Sequence, residues 1–140
     1  LKLLLHVLFY MSGGKAKNDL VLVGAFQMKL VSYLGYRPGL ERCMVCQNDQ
    51  EISLFSIENN GIICSGCRSL TEGYLYKLNP AMLELLRDFL RQPIKQLKDR
   101  EVNPAEAIKI NDLLDHYIGY CLGKSSKAYA FYKTMLNPLG

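Results

Sequence analysis

Four cysteines are the residues whose type and spacing can do chemistry. Cys43 and Cys46 form one C-x2-C pair, Cys64 and Cys67 form another, and seventeen residues separate the pairs. Two cysteines three positions apart in a tight turn place both sulfurs on one side, within reach of one metal ion. A second such turn completes a tetrahedron of thiolates, the arrangement zinc takes with sulfurs at about 2.3 Å. Four thiolates fill every position and leave none for a water molecule. Zinc held this way is structural rather than catalytic.

Other uses of paired cysteines fit less well. A redox C-x-x-C needs one pair, and here two pairs flank a hairpin. A disulfide framework calls for an even count in a short secreted chain, whereas this chain has five cysteines in 140 residues. Cys121, the fifth, lies on an apolar helical stripe and reads as a core residue. His6 and His116 have no matching ligand partners. His6 reads as a core-edge residue and His116 as solvated. No nucleophile–base pair, carboxylate pair or phosphate loop stands out, so an enzyme is not expected. Ser12-Gly13-Gly14-Lys15 lacks the spacing and the preceding strand of a phosphate loop.

The elements that must hold the cysteines can be read from the flanking sequence. Ile52–Ile57 is a short strand, Glu58-Asn59-Asn60-Gly61 a hairpin turn, since Asn-Gly tolerates the positive φ that tight hairpins need, and Ile62-Ile63 the returning strand that delivers Cys64. Gly66 should help the chain fold back around the metal. Upstream, Leu1–Met11 reads as a helix and Ser12–Lys17 as a polar connection. A second helix, capped by Asn18 or Asp19, runs to about Leu34, where Gly35 stops it. It is apolar on nearly every face and should be the central helix of a bundle. Downstream, the remainder reads as helical. Asn79-Pro80 and Asn103-Pro104 are helix starts with Asn as cap and Pro at the first position, and Glu106 completes a capping box. Ile110, Leu113, Leu114, Tyr117, Ile118 and Cys121 form an inward stripe that ends at Gly123. Ser125 caps a last helix to about Leu136, with Ala128, Phe131, Tyr132 and Met135 facing inward.

The fold class is therefore mainly α: a helical bundle with an inserted four-cysteine zinc-binding β-hairpin at about 43–67, within one domain over 1–140. About half the residues are apolar and a fifth charged, as in ordinary globular chains. The formal charge is +4, and a zinc tetrathiolate site of about −2 lowers it to about +2. That is too mild to argue nucleic-acid binding. Lys124, Lys127 and Lys133 accompany Tyr129, Phe131 and Tyr132 without acidic residues after Asp115. The core spacing of those aromatics favours a solvated face over a base-stacking surface. Arg87, Arg91, Lys95, Lys98 and Arg100 alternate with acids. Leu1–Met11 is too short to span a bilayer, and Gln27 and Lys29 interrupt Leu20–Leu34. The chain opens inside an apparent helix without an initiating Met, as expected of a piece of a longer protein.

One segment resembles a known family. Phe26 to Leu40, with Leu34-Gly35-Tyr36-Arg37-Pro38, runs into Cys43-x2-Cys46. Phe55-Ser56, Gly61 and Cys64-x2-Cys67 follow. The pattern is similar to the C-terminal part of RecO, a bacterial recombination mediator family. Tyr117, Leu122-Gly123 and Ser126 resemble its closing helices. RecO proteins begin with an OB-fold, and no barrel of that kind is legible here. The resemblance implies DNA repair and homologous recombination after DNA damage, in the bacterial cytoplasm at the nucleoid. It implies binding of single- and double-stranded DNA, strand annealing, and RecA loading with RecR on DNA coated by single-strand-binding protein. The DNA surface would lie mainly in the OB-fold. The helical part would meet partners, including the acidic, apolar-ended tail of single-strand-binding protein. Lys29, Arg37 and Arg42 flank the central helix end and are candidates for that groove. The alternative is a zinc-stabilised protein-interaction or transcription-factor-type domain that does not touch DNA.

Overall fold

The computed structural model describes residues 19–136. The helix expected over Leu1–Met11, His6, the Ser12–Lys17 connection and the Asn18 cap lie outside the described residues. Helix α1 (Asp19–Tyr33) is followed by strands β1 (Ile52–Ser56) and β2 (Gly61–Cys64), a 3-10 turn (Ser65–Leu70) and strand β3 (Leu75–Lys77). Helices α2 (Pro80–Arg91), α3 (Ile94–Leu97), α4 (Pro104–Leu122) and α5 (Lys127–Leu136) complete the described chain. The chain is mostly helical with a small antiparallel sheet.

Helix α1 is central, as its all-round apolar sequence requires. Val21, Leu22, Ala25, Phe26, Met28 and Val31 are buried, and the helix packs against α2, α3 and α4. Gly24 lets α1 approach α2 closely, because a Cβ there would lie 2.4 Å from Phe89 Cε2. The helix ends as expected. Gly35 takes φ +97°, the Tyr36 N–H reaches the Val31 carbonyl at 2.9 Å, and the Gly35 N–H reaches Ser32 at 3.1 Å. These are the paired bonds of a left-handed helix stop.

Both Asn-Pro starts form as read. Asn79 Oδ1 accepts the Met82 N–H at 2.8 Å, and Asn103 Oδ1 accepts the N–H groups of Ala105 and Glu106 at 2.9 and 3.3 Å. The Glu106 carboxylate, expected to complete a capping box, accepts a hydrogen bond from Asn79 Nδ2 and so joins the two helix starts. The last helix is capped one residue later than expected, by Ser126, whose Oγ accepts the Tyr129 N–H at 3.0 Å. Within α5 only part of the expected inward face is buried. Tyr132 is buried, with its hydroxyl donating to Asp115 at 3.0 Å and accepting from Gln27 Nε2 at 2.9 Å. Met135 is half-buried, whereas Ala128 is exposed and Phe131 is 65% exposed. The helix meets mainly α4 and, through Tyr132, the edge of α1, so one narrow strip of it is covered.

The expected hairpin is part of a three-stranded sheet in the order β2-β1-β3. The region after Cys67 was expected to be helical, yet Leu75-Tyr76-Lys77 pairs antiparallel with β1. Three residues are too few to show an alternating pattern. The short α3 went unread for the same reason. The sheet is also less separate than an insert would be. Phe55, Ile57 and Ile62 belong to the same buried cluster as the helices. Phe55 meets Tyr117 edge-on, with ring centroids 5.5 Å apart, a geometry worth about 0.5–1.5 kcal/mol beyond area burial. His116, expected to be solvated, is half-buried, and its Nδ1 lies 3.0 Å from the Tyr76 hydroxyl. The unread β3 brings that tyrosine against α4.

Candidate metal centre

The pleat of the strands gives the sheet two destinations. Phe55 and Ile62, paired across β1 and β2, face the helices. Their neighbours Leu54 and Ile63, also paired, form a second buried cluster with Cys43, Cys64 and Cys67. A strand alternates faces at every residue, so one hairpin serves both the large core and a small sulfur-rich one. The ladder shifts register between Ile52 and Leu54, next to the pairing of Ile52 with Cys64.

The first cysteine turn is fastened by backbone bonds. The Gly39 N–H donates to Asn60 at 2.9 Å, the Ile62 N–H to Gly39 at 3.0 Å, and the Met44 N–H to Ile62 at 2.8 Å. The segment entering Cys43 therefore runs along the free edge of β2. Gly61 is needed for this approach, because a Cβ there would lie 2.4 Å from the Gly39 carbonyl oxygen. The hairpin turn works differently from the expected Asn-Gly pair. Asn60 alone takes the left-handed conformation, at φ +59°, while Gly61 is already the first residue of β2. Arg87 adds a tie from α2, its Nε donating to the Leu40 carbonyl at 2.8 Å.

The turn then closes on itself. The Cys43 N–H donates to Asn48 at 2.8 Å and the Gln47 N–H to Cys43 at 2.9 Å. Gln47 and Glu51 take positive φ, 66° and 57°, which bends the loop back toward β1. The Ser65 N–H donates to Glu51 at 3.0 Å, tying this loop to the second turn. The 3-10 turn after Cys64 carries Cys67 back to the cluster. Gly66 is not what permits this: its φ is ordinary and a Cβ there would meet only Cys64 Sγ, at 3.9 Å.

These paths bring together the four cysteines singled out by spacing. The sulfurs of Cys43, Cys46, Cys64 and Cys67 all lie within 4.8 Å of one another, and Cys46 Sγ is 3.7 Å from Cys64 Sγ. A tetrahedron with sulfur about 2.3 Å from zinc has edges of about 3.8 Å. The donor set therefore fits a tetrahedral, thiophilic metal ion. Cys43, Cys64 and Cys67 are buried and Cys46 is exposed.

The electrostatics favour such an ion. Burial disfavours the Cys43 thiolate, but hydrogen bonds from the surrounding backbone outweigh it and hold the thiol at about 6. One of the backbone donors is the Val45 N–H, 3.4 Å from the sulfur. Cys67 is pushed up to about 12, first by burial, then by its bonds to Cys64, Cys46 and Cys43 and by the Cys43 charge. One thiolate thus suppresses ionisation of the next, as like charges in one site do. A divalent cation removes that conflict and lets all four ionise. Cys121 stands apart, half-buried against the main cluster, with burial raising its thiol pKa.

The basic groove candidates separate. Arg37 and Arg42 line one cleft of about 250 Å³, with Pro38, Leu40, Met44 and Leu90 among its walls. Lys29 does not line it. Its Nζ donates to the Gln92 carbonyl, and burial lowers its pKa. Sequence position near the helix end could not distinguish these roles, because the acceptor for Lys29 lies 63 residues away. No described helix is long and apolar enough to cross a membrane.

Comparison with known proteins adds to this geometry. The family model described as "Recombination protein O C terminal" matches residues 1–130. The chain is similar to the DNA repair protein RecO of Pelotomaculum thermopropionicum, with 35% identity over 130 residues, 92% of this chain and 49% of that protein. It is similar to the DNA repair protein RecO of Bacillus pumilus, with 31% identity over 134 residues, 96% of this chain and 51% of that protein. The chain thus spans about half the length of these curated relatives. No solved structure matches it. With the family model covering nearly the whole chain around the paired cysteines, the chain belongs to the RecO family, in its C-terminal region.

Proposed function

We propose that this chain is the helical and zinc-binding part of a non-enzymatic mediator of DNA repair and homologous recombination. The observation that carries the reading is the match of residues 1–130 to the C-terminal RecO family model, around a cluster of four cysteines. In this reading 1–140 is one domain and the metal is a single structural zinc. Cys43, Cys46, Cys64 and Cys67 are its ligands. The parent protein binds single- and double-stranded DNA, anneals complementary strands and, with RecR, loads RecA on DNA coated by single-strand-binding protein. It works in the bacterial cytoplasm, at the nucleoid. DNA is met mainly by an OB-fold outside this chain, and this part contacts proteins.

The cleft beside the first cysteine turn supports the last point. Leu40, Met44, Leu90 and Pro38 give it apolar walls, and Arg37 and Arg42 give it positive charge. That chemistry suits an acidic, apolar-ended peptide such as the tail of single-strand-binding protein. Unchanged binding of that peptide after Arg37→Ala with Arg42→Ala would remove the cleft from the reading.

The mediator reading is tested on the full-length parent. Its DNA binding should weaken steeply with salt, and it should anneal complementary strands. A parent that neither binds nor anneals DNA would leave the protein-interaction reading in its place. The zinc reading is tested on the reduced chain, which should carry about one zinc.

A further inference from the structure

The four cysteines are unequally exposed, and the inequality points to a site of chemical modification. Cys43 is fully buried, Cys64 and Cys67 are each 5% exposed, and only Cys46 of the four is exposed. Every residue from Met44 to Glu51 is exposed as well. Of the four, Cys46 is therefore the residue a dissolved oxidant reaches first. A metal-bound thiolate keeps a nucleophilic lone pair, and accessibility decides which thiolate reacts. The Cys64 sulfur, 3.7 Å away, is placed to resolve the product. A disulfide requires this separation to close to about 2.05 Å. The exposed loop carrying Cys46 has room to make that movement, whereas Cys64 is held in β2 opposite Ile52.

We infer that Cys46 is the point at which a hydroperoxide attacks this centre, and that oxidation joins Cys46 to Cys64 and expels the metal. The inference rests on the zinc reading above. The Cys46 thiolate attacks one oxygen of the peroxide, the O–O bond breaks, and a sulfenic acid and hydroxide (water, for the protonated leaving group) result. The Cys64 thiolate then attacks the sulfenic sulfur, forming the S–S bond and releasing a second hydroxide. Two thiolates have supplied the two electrons that reduce the peroxide. Cys43 and Cys67 remain as thiolates, too few to retain the ion, and take up protons as it leaves. A dithiol reductant and zinc reverse the change. The same turn contributes Met44 and Gln47 to the Arg37–Arg42 cleft, so oxidation reshapes that cleft while the helices keep their packing.

The test uses the 140-residue chain carrying Cys121→Ser, which removes the one other thiol. The reduced protein is first assayed for zinc. It is then titrated with hydrogen peroxide while a metallochromic indicator follows release. Dimedone traps sulfenic acid, and peptide mapping locates the disulfide. The expected result is one zinc released per disulfide, a chain about 2 Da lighter, trapping at Cys46, and a Cys46–Cys64 link. A zinc-loaded chain that is trapped first at another cysteine, forms a different disulfide, or keeps its zinc after forming one overturns this inference alone. A reduced chain without zinc overturns the zinc reading and, with it, this one. No step depends on a ligand variant that fails to fold.

Discussion

The two faces of the β1–β2 hairpin are built on different principles. One face joins a large buried cluster drawn from α1, α2, α4 and the sheet, including Leu22, Phe89, Ile110 and Tyr117. The other joins a cluster of five buried residues, three of them cysteines. The large cluster is held by apolar burial, at about 1.5–3 kcal/mol for each fully buried large side chain. The small one has Leu54 and Ile63 as its only fully apolar buried members, too few to order two turns and a short hairpin without a further constraint. With a metal ion at the four cysteines, one hairpin can therefore keep one face folded by burial while the other depends on the ion.

The largest expected effect comes from the helical side. Phe89 is 1% exposed and lies against the α1 backbone at Gly24. Phe89→Ala should cost about 3–5 kcal/mol and lower the single midpoint of urea unfolding monitored by helical circular dichroism. A change below about 1 kcal/mol would mean that the α1–α2 contact repacks freely.

Metal removal should act on the other side. A chelator, or Cys43→Ser, should release hydrogen-exchange protection in 43–54 and 63–70. Phe55 and Ile62, inside the helical cluster, should keep much of theirs, and helical content should change little. Complete unfolding would contradict the division between the two faces. The pH dependence follows from the thiols. Cys43 lies below its usual value, at about 6. In the metal-free chain its contribution is full above the ordinary thiol range and is lost as pH falls through about 6. Cys67 lies above its usual value, at about 12. Its contribution is full below the ordinary thiol range and is lost as pH rises through about 12. Bound metal requires every ligand ionised. Acid should therefore release the ion, and the metal end should loosen before the helices do.

The same contrast explains what could be read in advance. The clustering of the four cysteines was legible because metal chemistry demands particular residues at particular spacings. Both Asn-Pro starts and the Gly35 stop were legible because capping is decided within a few residues. Strand β3 was not, because three residues show no period and only pairing with β1 makes them a strand. Phe131 was misplaced because helical spacing fixes which residues share a face, and neighbouring elements decide how much of that face is covered. The misreading of Gly61 was of a third kind. The Asn-Gly signal located the turn, but the glycine is needed for backbone contact with Gly39, a residue from another segment.

Gly61→Ala separates these two uses of glycine. Its added Cβ meets the Gly39 backbone oxygen first, and then the Gly39 nitrogen and Met44 Cγ, so the segment entering Cys43 must shift away from β2. The expected cost is about 1–3 kcal/mol, accompanied by weaker metal retention in competition with a chelator. If stability falls but metal retention is unchanged, the edge contact does not position the first cysteine turn. Gly66→Ala, with only an ordinary contact to meet, should leave both nearly unchanged.

The smallest expected effect lies at the far end of the helical side, and it tests how local a cap is. Asn79→Ala and Asn103→Ala each remove a cap worth about 1 kcal/mol. Asn79 also donates to the Glu106 carboxylate, whereas Asn103 accepts from backbone N–H groups alone. In a Glu106→Ala background, therefore, Asn79→Ala should cost less than it does in the original chain, and Asn103→Ala should cost the same. The difference is that of an exposed, charge-assisted hydrogen bond, about 0.5 kcal/mol, measurable as a double-mutant cycle by chemical denaturation. A cycle that closes to zero would show that the two helix starts lie side by side without supporting each other. The stability of the helical side would then come from burial, with each cap acting on its own helix.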